Sequence, residues 1–235
     1  MRWVHIDNVD AKKTAIFEGA RKAWLGAIRS EHGALGDGRP LFWESRGTAT
    51  NTYFTLYPFR AWADLDARRA MVAATETAVG DAAVKQYDTG DAALVSPHYS
   101  QIWRRASDYD IASDAVAGLT ELTGTVGRIE VHIEDITRDE EFDKAWKSMK
   151  DALVAKRYPL ACRVYTSVFG EGEIMLLWIA SDAGVYRGAP SLKSALAAQL
   201  GAKKSAEIIE ALRKIFPLRK AYEVERRPDL SNLGY

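Results

Sequence analysis

The sequence predicts an α+β protein built from two β-α-β-β-α-β modules in tandem, each an antiparallel sheet with helices on it. Three observations carry this reading. A strand is written twice, as Val4-His5-Ile6-Asp7-Asn8-Val9 and as Val131-His132-Ile133-Glu134-Asp135-Ile136, so that His5 and His132 are offset by 127. An amphipathic helix follows each copy, and Phe17, Trp24 and Ile28 correspond to Phe142, Met149 and Leu153 at a constant offset of 125. Gly80 matches Gly201 at 121, and Ile102-Trp103-Arg104-Arg105 matches Val224-Glu225-Arg226-Arg227 at 122. An offset that drifts so little along each half is the mark of an internal repeat. The modules are expected at residues 1–111 and 128–235, joined by a linker at 112–127.

In the first module, Asp10 is placed to cap a helix that runs to about Arg29, with Phe17, Trp24 and Ile28 on one face and Ile16, Ala20 and Ala27 beside them. Gly33 to Pro40 reads as a loop; it has neither the Walker lysine pattern nor dinucleotide spacing, and it precedes a strand rather than a helix. Leu41 to Ser45 and Thr52 to Tyr57 are rich in β-formers and flank a polar turn at Gly47, which predicts a hairpin closed by Pro58. Asp64 begins a helix to Val79, Gly80 breaks it, Asp81 to Tyr87 continue as a shorter helix, and Tyr99 to Arg105 form the last strand.

Ser, Asp, Gly and Thr between Ala106 and Gly127 separate the halves. Thr137 to Glu140 has capping-box spacing, and Phe142, Trp146, Met149 and Leu153 form a helical stripe. Strands at Leu160 to Phe169 and Glu173 to Ile179 are joined by a turn at Gly170-Glu171-Gly172. Helices at Ser191 to Leu200 and Lys204 to Phe216 and a strand at Ala221 to Glu225 complete the copy.

The chain has 235 residues, 47% of them hydrophobic, with 32 basic and 32 acidic side chains. That composition supports a proper core and gives no global field to draw nucleic acid or an anionic membrane, so neither is expected as a partner. A single cysteine, Cys162, rules out an internal disulfide framework. No apolar run approaches membrane-span length, and no signal region opens the chain, which reads as cytoplasmic unless a signal was removed ahead of Met1.

Strand alternation puts Val4 and Ile6 on one face and His5 and Asp7 on the other. The helices need an apolar sheet face, for which Val4, Ile6, Phe54 and Leu56, with Val131 and Ile133, are the candidates. The histidine face, with Tyr53, Thr55 and Tyr57 in one half and Glu130, His132 and Glu134 in the other, is then expected to turn away from the helices. Two sheets packed through such faces would form a single-chain α+β barrel of ferredoxin-like modules enclosing a small-molecule cavity.

The duplicated strand-plus-helix openings, the segment Phe59-Arg60-Ala61-Trp62-Ala63-Asp64-Leu65-Asp66, and the endings Trp103-Arg104-Arg105-Ala106-Ser107-Asp108 and Glu225-Arg226-Arg227-Pro228-Asp229-Leu230-Ser231 carry a resemblance. Through them the chain resembles the dimeric α+β barrel superfamily, which includes antibiotic-biosynthesis-type monooxygenases, NIPSNAP-like proteins and chlorite-dismutase-like haem proteins. The resemblance implies modules paired through their sheets, with one chain supplying both. It is of fold grade, since members differ in chemistry. The Asn-Trp-His set of the haem-degrading members has no matching positions here.

The expected ligand is a small apolar or aromatic molecule. If the protein is an enzyme, cofactor-independent oxygenase or isomerase chemistry is expected, with His5 or His132 as base and Tyr53 or Tyr57 as hydrogen-bond donor. Trp43, Trp103, Arg104, Glu130 and Glu134 are the candidate ligand-binding residues, Arg104 as an anion clamp. Strand-end arginines paired with nearby acids such as Asp108 or Asp229 are the plainer reading. No cofactor is otherwise predicted; haem held by one histidine is the second enzyme reading, and no metal site is expected because no His-x-x-x-His or comparable local set occurs. The rival outside enzymes is a non-catalytic binding or assembly module in which the polar sheet faces are satisfied and any pairing serves homo-oligomer formation.

Overall fold

Strands rich in β-branched and aromatic residues alternate with helices whose apolar residues recur at helical spacing. The computed structural model describes residues 1–30, 43–95, 98–120, 123–133, 139–169 and 172–232, with the side chains of 43–45 and 139 left aside. The loop expected at 33–40, the start of the capping box, Glu134 and the turn at 170–171 lie outside the described residues. No helix among the described residues is long and apolar enough to cross a membrane.

The described elements are β1 (Arg2–Asn8), α1 (Thr14–Ser30), β2 (Trp43–Gly47), β3 (Thr52–Pro58), α2 (Ala63–Val79), α3 (Asp81–Asp88) and β4 (Tyr99–Arg105), then β5 (Thr125–Ile133), α4 (Asp139–Ala155), β6 (Ala161–Ser167), β7 (Glu173–Ala180), α5 (Ala183–Gly188), α6 (Leu192–Leu200), α7 (Ala202–Ile215) and β8 (Leu218–Arg226). The fold class is α+β. The chain divides into two units, Met1–Ile102 with Arg226–Tyr235, and Trp103–Glu225.

In the first unit β3 lies between β1 and β2, antiparallel to both, so the hairpin expected around Gly47 forms. Asp10 caps the 3-10 turn ahead of α1 by accepting from the Lys12 amide at 2.9 Å. Phe17 and Ile28 are fully buried on α1, whereas Ile16 is 52% exposed and belongs to the outer face. Asp64 sits within the first turn of α2 and accepts from the amides of Arg60 and Ala61 just before the helix. Arg227, late in the chain, belongs to this unit and grips Glu18 of α1 through two guanidinium nitrogens.

The second unit has the sheet order β8-β5-β7-β6, antiparallel throughout, as a β-α-β-β-α-β sequence arranges its strands. Trp103 to Arg105, the end of β4, pair with the free edge of β6. β5 begins at Thr125, three residues inside the expected linker; a 3-10 turn at Asp114–Val116 lies within that linker and another at Ser107–Tyr109 just before it. The stripe Phe142, Trp146, Met149 and Leu153 is buried against Cys162, Val164, Ile174, Leu176 and Trp178 of the sheet.

The faces of both sheets are opposite to the expectation. In register, Trp3, His5 and Asp7 stand beside Tyr57, Thr55 and Tyr53, and this is the side the helices cover. Phe17 of α1 packs on Tyr53 with ring centroids 4.7 Å apart, Arg21 of α1 bonds Asp7 at 2.9 Å, and Arg68 of α2 lies 4.1 Å over Trp3 and 4.0 Å over Tyr57. Val4, Ile6, Phe54 and Leu56 occupy the other face and are buried there. In β5, Arg128, Glu130 and His132 stand beside Trp178, Leu176 and Ile174 on the helix side, while Val131 pairs with Met175 on the other. Aromatic rings and arginine stems give the helices enough apolar cover, and charged residues on the helices satisfy the polar atoms, so the aliphatic set is free to take the other face.

Candidate functional site

The second unit holds a cavity of about 350 Å3 between its sheet and helices α4, α6 and α7, lined by Trp146, Met149, Leu176, Trp178, Leu196, Leu212 and Phe216. Two polar side chains from β5, Glu130 and His132, line the same cavity. Their spacing of two along a strand puts them on one face, and the helices wall them in with apolar side chains. An apolar pocket with a few convergent polar groups is the usual form of a small-molecule site.

The hydrogen bonds around His132 define its protons. Its Nδ1 lies 3.1 Å from the carbonyl oxygen of Phe216, which only accepts, so Nδ1 carries a hydrogen. Its Nε2 lies 3.2 Å from Oε2 of Glu130. Burial alone would raise the Glu130 carboxyl, but the hydrogen bond from His132 and the charge of Arg128 outweigh it and hold the group below its ordinary range. His132 is 8% exposed, and its ring stacks on that of Phe216 with centroids 3.9 Å apart.

Behind the pair runs a line of charge. Arg128 donates from Nε to Oε1 of Glu130 at 2.5 Å and from Nη1 to Glu223 at 2.5 Å, and the Tyr186 hydroxyl donates to the other Glu223 oxygen at 2.7 Å. Lys193 and Arg213, both exposed, add cationic ends to the pocket lining.

The structure thus brings together Glu130 and His132, with Trp178 on the same wall. Trp103 is buried in the second unit, and its Nε1 has no hydrogen-bond partner among the described residues. Arg104 is exposed beside Thr166 in the ladder. Tyr53 is buried in the first unit and donates to Glu18 at 2.6 Å; burial and that contact push its hydroxyl well above the usual range. Tyr57 lies under the Arg68 guanidinium. Trp43 is a residue of β2 whose side chain is outside the description, as is Glu134. His5 belongs to the first unit, with Nδ1 2.8 Å from the Ser100 hydroxyl and Nε2 3.1 Å from Asp7. Arg128 and Phe216 were missed by sequence reasoning. Arg128 could have been found from its place two residues before Glu130; Phe216 carries no local signal.

No protein-family model matches the chain, and no curated protein matches it in sequence. Solved structures do. A "putative monooxygenase" from Fusobacterium nucleatum subsp. nucleatum aligns with a TM-score of 0.54 at 10% identity over 96% of this chain and 91% of that one. An anthrone oxidase-like protein aligns with a TM-score of 0.52 at 12% identity over 96% and 90%. Chlorite dismutase from Candidatus Nitrospira defluvii aligns with a TM-score of 0.48 at 10% identity over 97% and 92%. The first two likenesses are of fold alone.

Proposed function

We propose that this is a small-molecule-binding protein whose second unit takes an apolar or aromatic compound into the cavity beside Glu130 and His132. The observation that carries the reading is a hydrogen-bonded carboxylate–imidazole pair set in the wall of an apolar cavity. Glu130 and His132 stand 3.2 Å apart and both line the cavity. A phenolic O–H or activated C–H of a ligand in the cavity can pass its proton to this pair, and Lys193 and Arg213 can meet the negative charge left on the ligand. Such proton abstraction opens cofactor-independent oxygenation and isomerisation, and His132 with Glu130 would be the catalytic groups.

Haem fits these residues poorly. Ligation by His132 would need Nε2 freed from Glu130, because Nδ1 is committed to the Phe216 carbonyl. The tandem origin of the chain, with modules at 1–111 and 128–235, belongs to the same proposal. Its support is the matched helix breaks, with Gly80 at φ 80° and ψ 162° and Gly201 at φ 83° and ψ 156°.

The test is native mass spectrometry of freshly purified protein with an absorption spectrum of the same sample, then a thermal-shift screen of phenolic and polycyclic aromatic compounds against wild type, His132→Ala and His5→Ala. The reading expects compounds that stabilise wild type and His5→Ala but not a folded His132→Ala. Equal stabilisation of all three would overturn it, and a Soret band lost in His132→Ala would replace it with the haem reading.

A further inference from the structure

On the helix-covered face of the first unit, three side chains from two segments meet. His5 Nε2 is 3.1 Å from Oδ1 of Asp7, and His98 Nδ1 is 3.6 Å from that same oxygen. All three ligand atoms lie within 4.8 Å of one another. The register of β1 puts His5 and Asp7 side by side, and His98, one residue before β4, comes in across them with its ring centroid 5.0 Å from that of His5.

The polar accounting around Asp7 is incomplete. The residue is fully buried, and Arg21 of α1 holds its Oδ2 at 2.9 Å. Among the described residues its Oδ1 accepts no aligned hydrogen bond, although two imidazole nitrogens stand near it. A buried carboxylate oxygen in that state costs free energy unless something positive fills the gap. His5 is oriented for such a role, because the Ser100 hydroxyl at 2.8 Å from Nδ1 fixes the ring and can leave the Nε2 lone pair pointing at the gap.

We propose that His5, Asp7 and His98 form a binding site for one divalent first-row transition-metal ion, with His5 Nε2, His98 Nδ1 and Asp7 Oδ1 as ligands. The spacing suits such an ion. Ligands about 2.05 Å from a tetrahedral zinc are separated by about 3.3 Å; the two edges to Asp7, at 3.1 and 3.6 Å, bracket that value, and the edge between the imidazoles lies within 4.8 Å. Two imidazoles and one carboxylate select zinc or iron over magnesium or calcium, which take oxygen ligands. Three protein ligands leave coordination positions open for water or a small oxygen-donor ligand. The His98 side chain is 49% exposed, which supplies an entry path. Arg21 on the far oxygen orients the carboxylate.

The experiment is titration of chelator-treated, tag-free full-length protein with Zn2+ by calorimetry, repeated with Co2+ by visible absorption. Wild type should bind one equivalent of each, with Co2+ giving ligand-field bands. His98→Ala, at a half-exposed position where folding should survive, should weaken binding at least about tenfold, and Ser100→Ala by about tenfold through loss of ring orientation. His132→Ala, in the other unit, should bind as wild type does, so the outcome is independent of the pocket proposal. Absence of saturable binding by wild type, or binding unchanged in both His98→Ala and His5→Ala with folding confirmed by circular dichroism, would overturn the site.

Discussion

His132 and Phe216 are joined twice: their rings lie parallel to within 2° at 3.9 Å, and the imidazole Nδ1 meets the Phe216 carbonyl oxygen at 3.1 Å. The residue that ends α7 thereby fixes both the plane and the tautomer of a histidine on β5. That makes the helix-to-strand junction part of the pocket rather than its boundary.

The two contacts can be separated by substitution. His132→Phe keeps an aromatic face against Phe216 and loses both polar contacts, whereas His132→Ala loses everything. His132→Phe should cost about 1–3 kcal/mol, the penalty for leaving buried polar partners unmet. The alanine variant should lose about 0.5–1.5 kcal/mol more for the stack itself, beyond the area lost with the ring. Urea denaturation of the two variants measures both figures, and equal stabilities would mean that the stack contributes nothing.

Acid should act on both units through buried carboxylates. Glu130 and Asp7 are each raised by burial, but the first is drawn lower by His132 and Arg128 and the second by His5, Arg21 and His98, so both end below their ordinary values of 4.5 and 3.8. A carboxyl depressed in the folded state binds protons more readily when unfolded. Its contribution to stability is therefore complete above the unfolded value and is lost as pH falls through the folded one. Stability followed by urea midpoint should decline as pH drops below about 4.5, and Glu130→Gln should decline less steeply than wild type. Parallel curves for the two proteins would show that Glu130 is not one of the groups responsible.

Much of this architecture was legible. The hairpin with Gly47, the helix stripes and the glycine breaks follow from local chemistry that the chain cannot evade. The sheet faces were not legible, because period-two alternation divides a strand into two sets without saying which set meets the helices. Trp3, Tyr53 and Tyr57 are amphipathic enough to serve on the helix side once Arg68 and Glu18 answer them, and those partners lie on helices whose placement is a tertiary matter. Glu130 and His132 could be paired from their spacing alone. Phe216 and His98 could not, since each reaches its histidine from a distant part of the chain.

The glycines between paired helices offer a prediction that depends on backbone alone. Gly80 separates α2 from α3 and Gly201 separates α6 from α7, each ending one helix by donating its amide to the carbonyl four residues back, at 3.0 and 2.9 Å. Both occupy a region, at φ near 80° with extended ψ, that is essentially closed to residues with a side chain. A Cβ built on either would meet no atom within 4 Å, so Gly80→Ala and Gly201→Ala test conformation without a clash. Each should destabilise by about 1–3 kcal/mol. Gly26, exposed on α1 with equal room for a Cβ, has no such conformation to protect. Gly26→Ala should stabilise by about 0.5–1 kcal/mol through reduced freedom of the unfolded chain. Opposite signs in chemical denaturation are the expected result; a neutral Gly80→Ala or Gly201→Ala would show that the junction concerned adopts another backbone conformation at little cost.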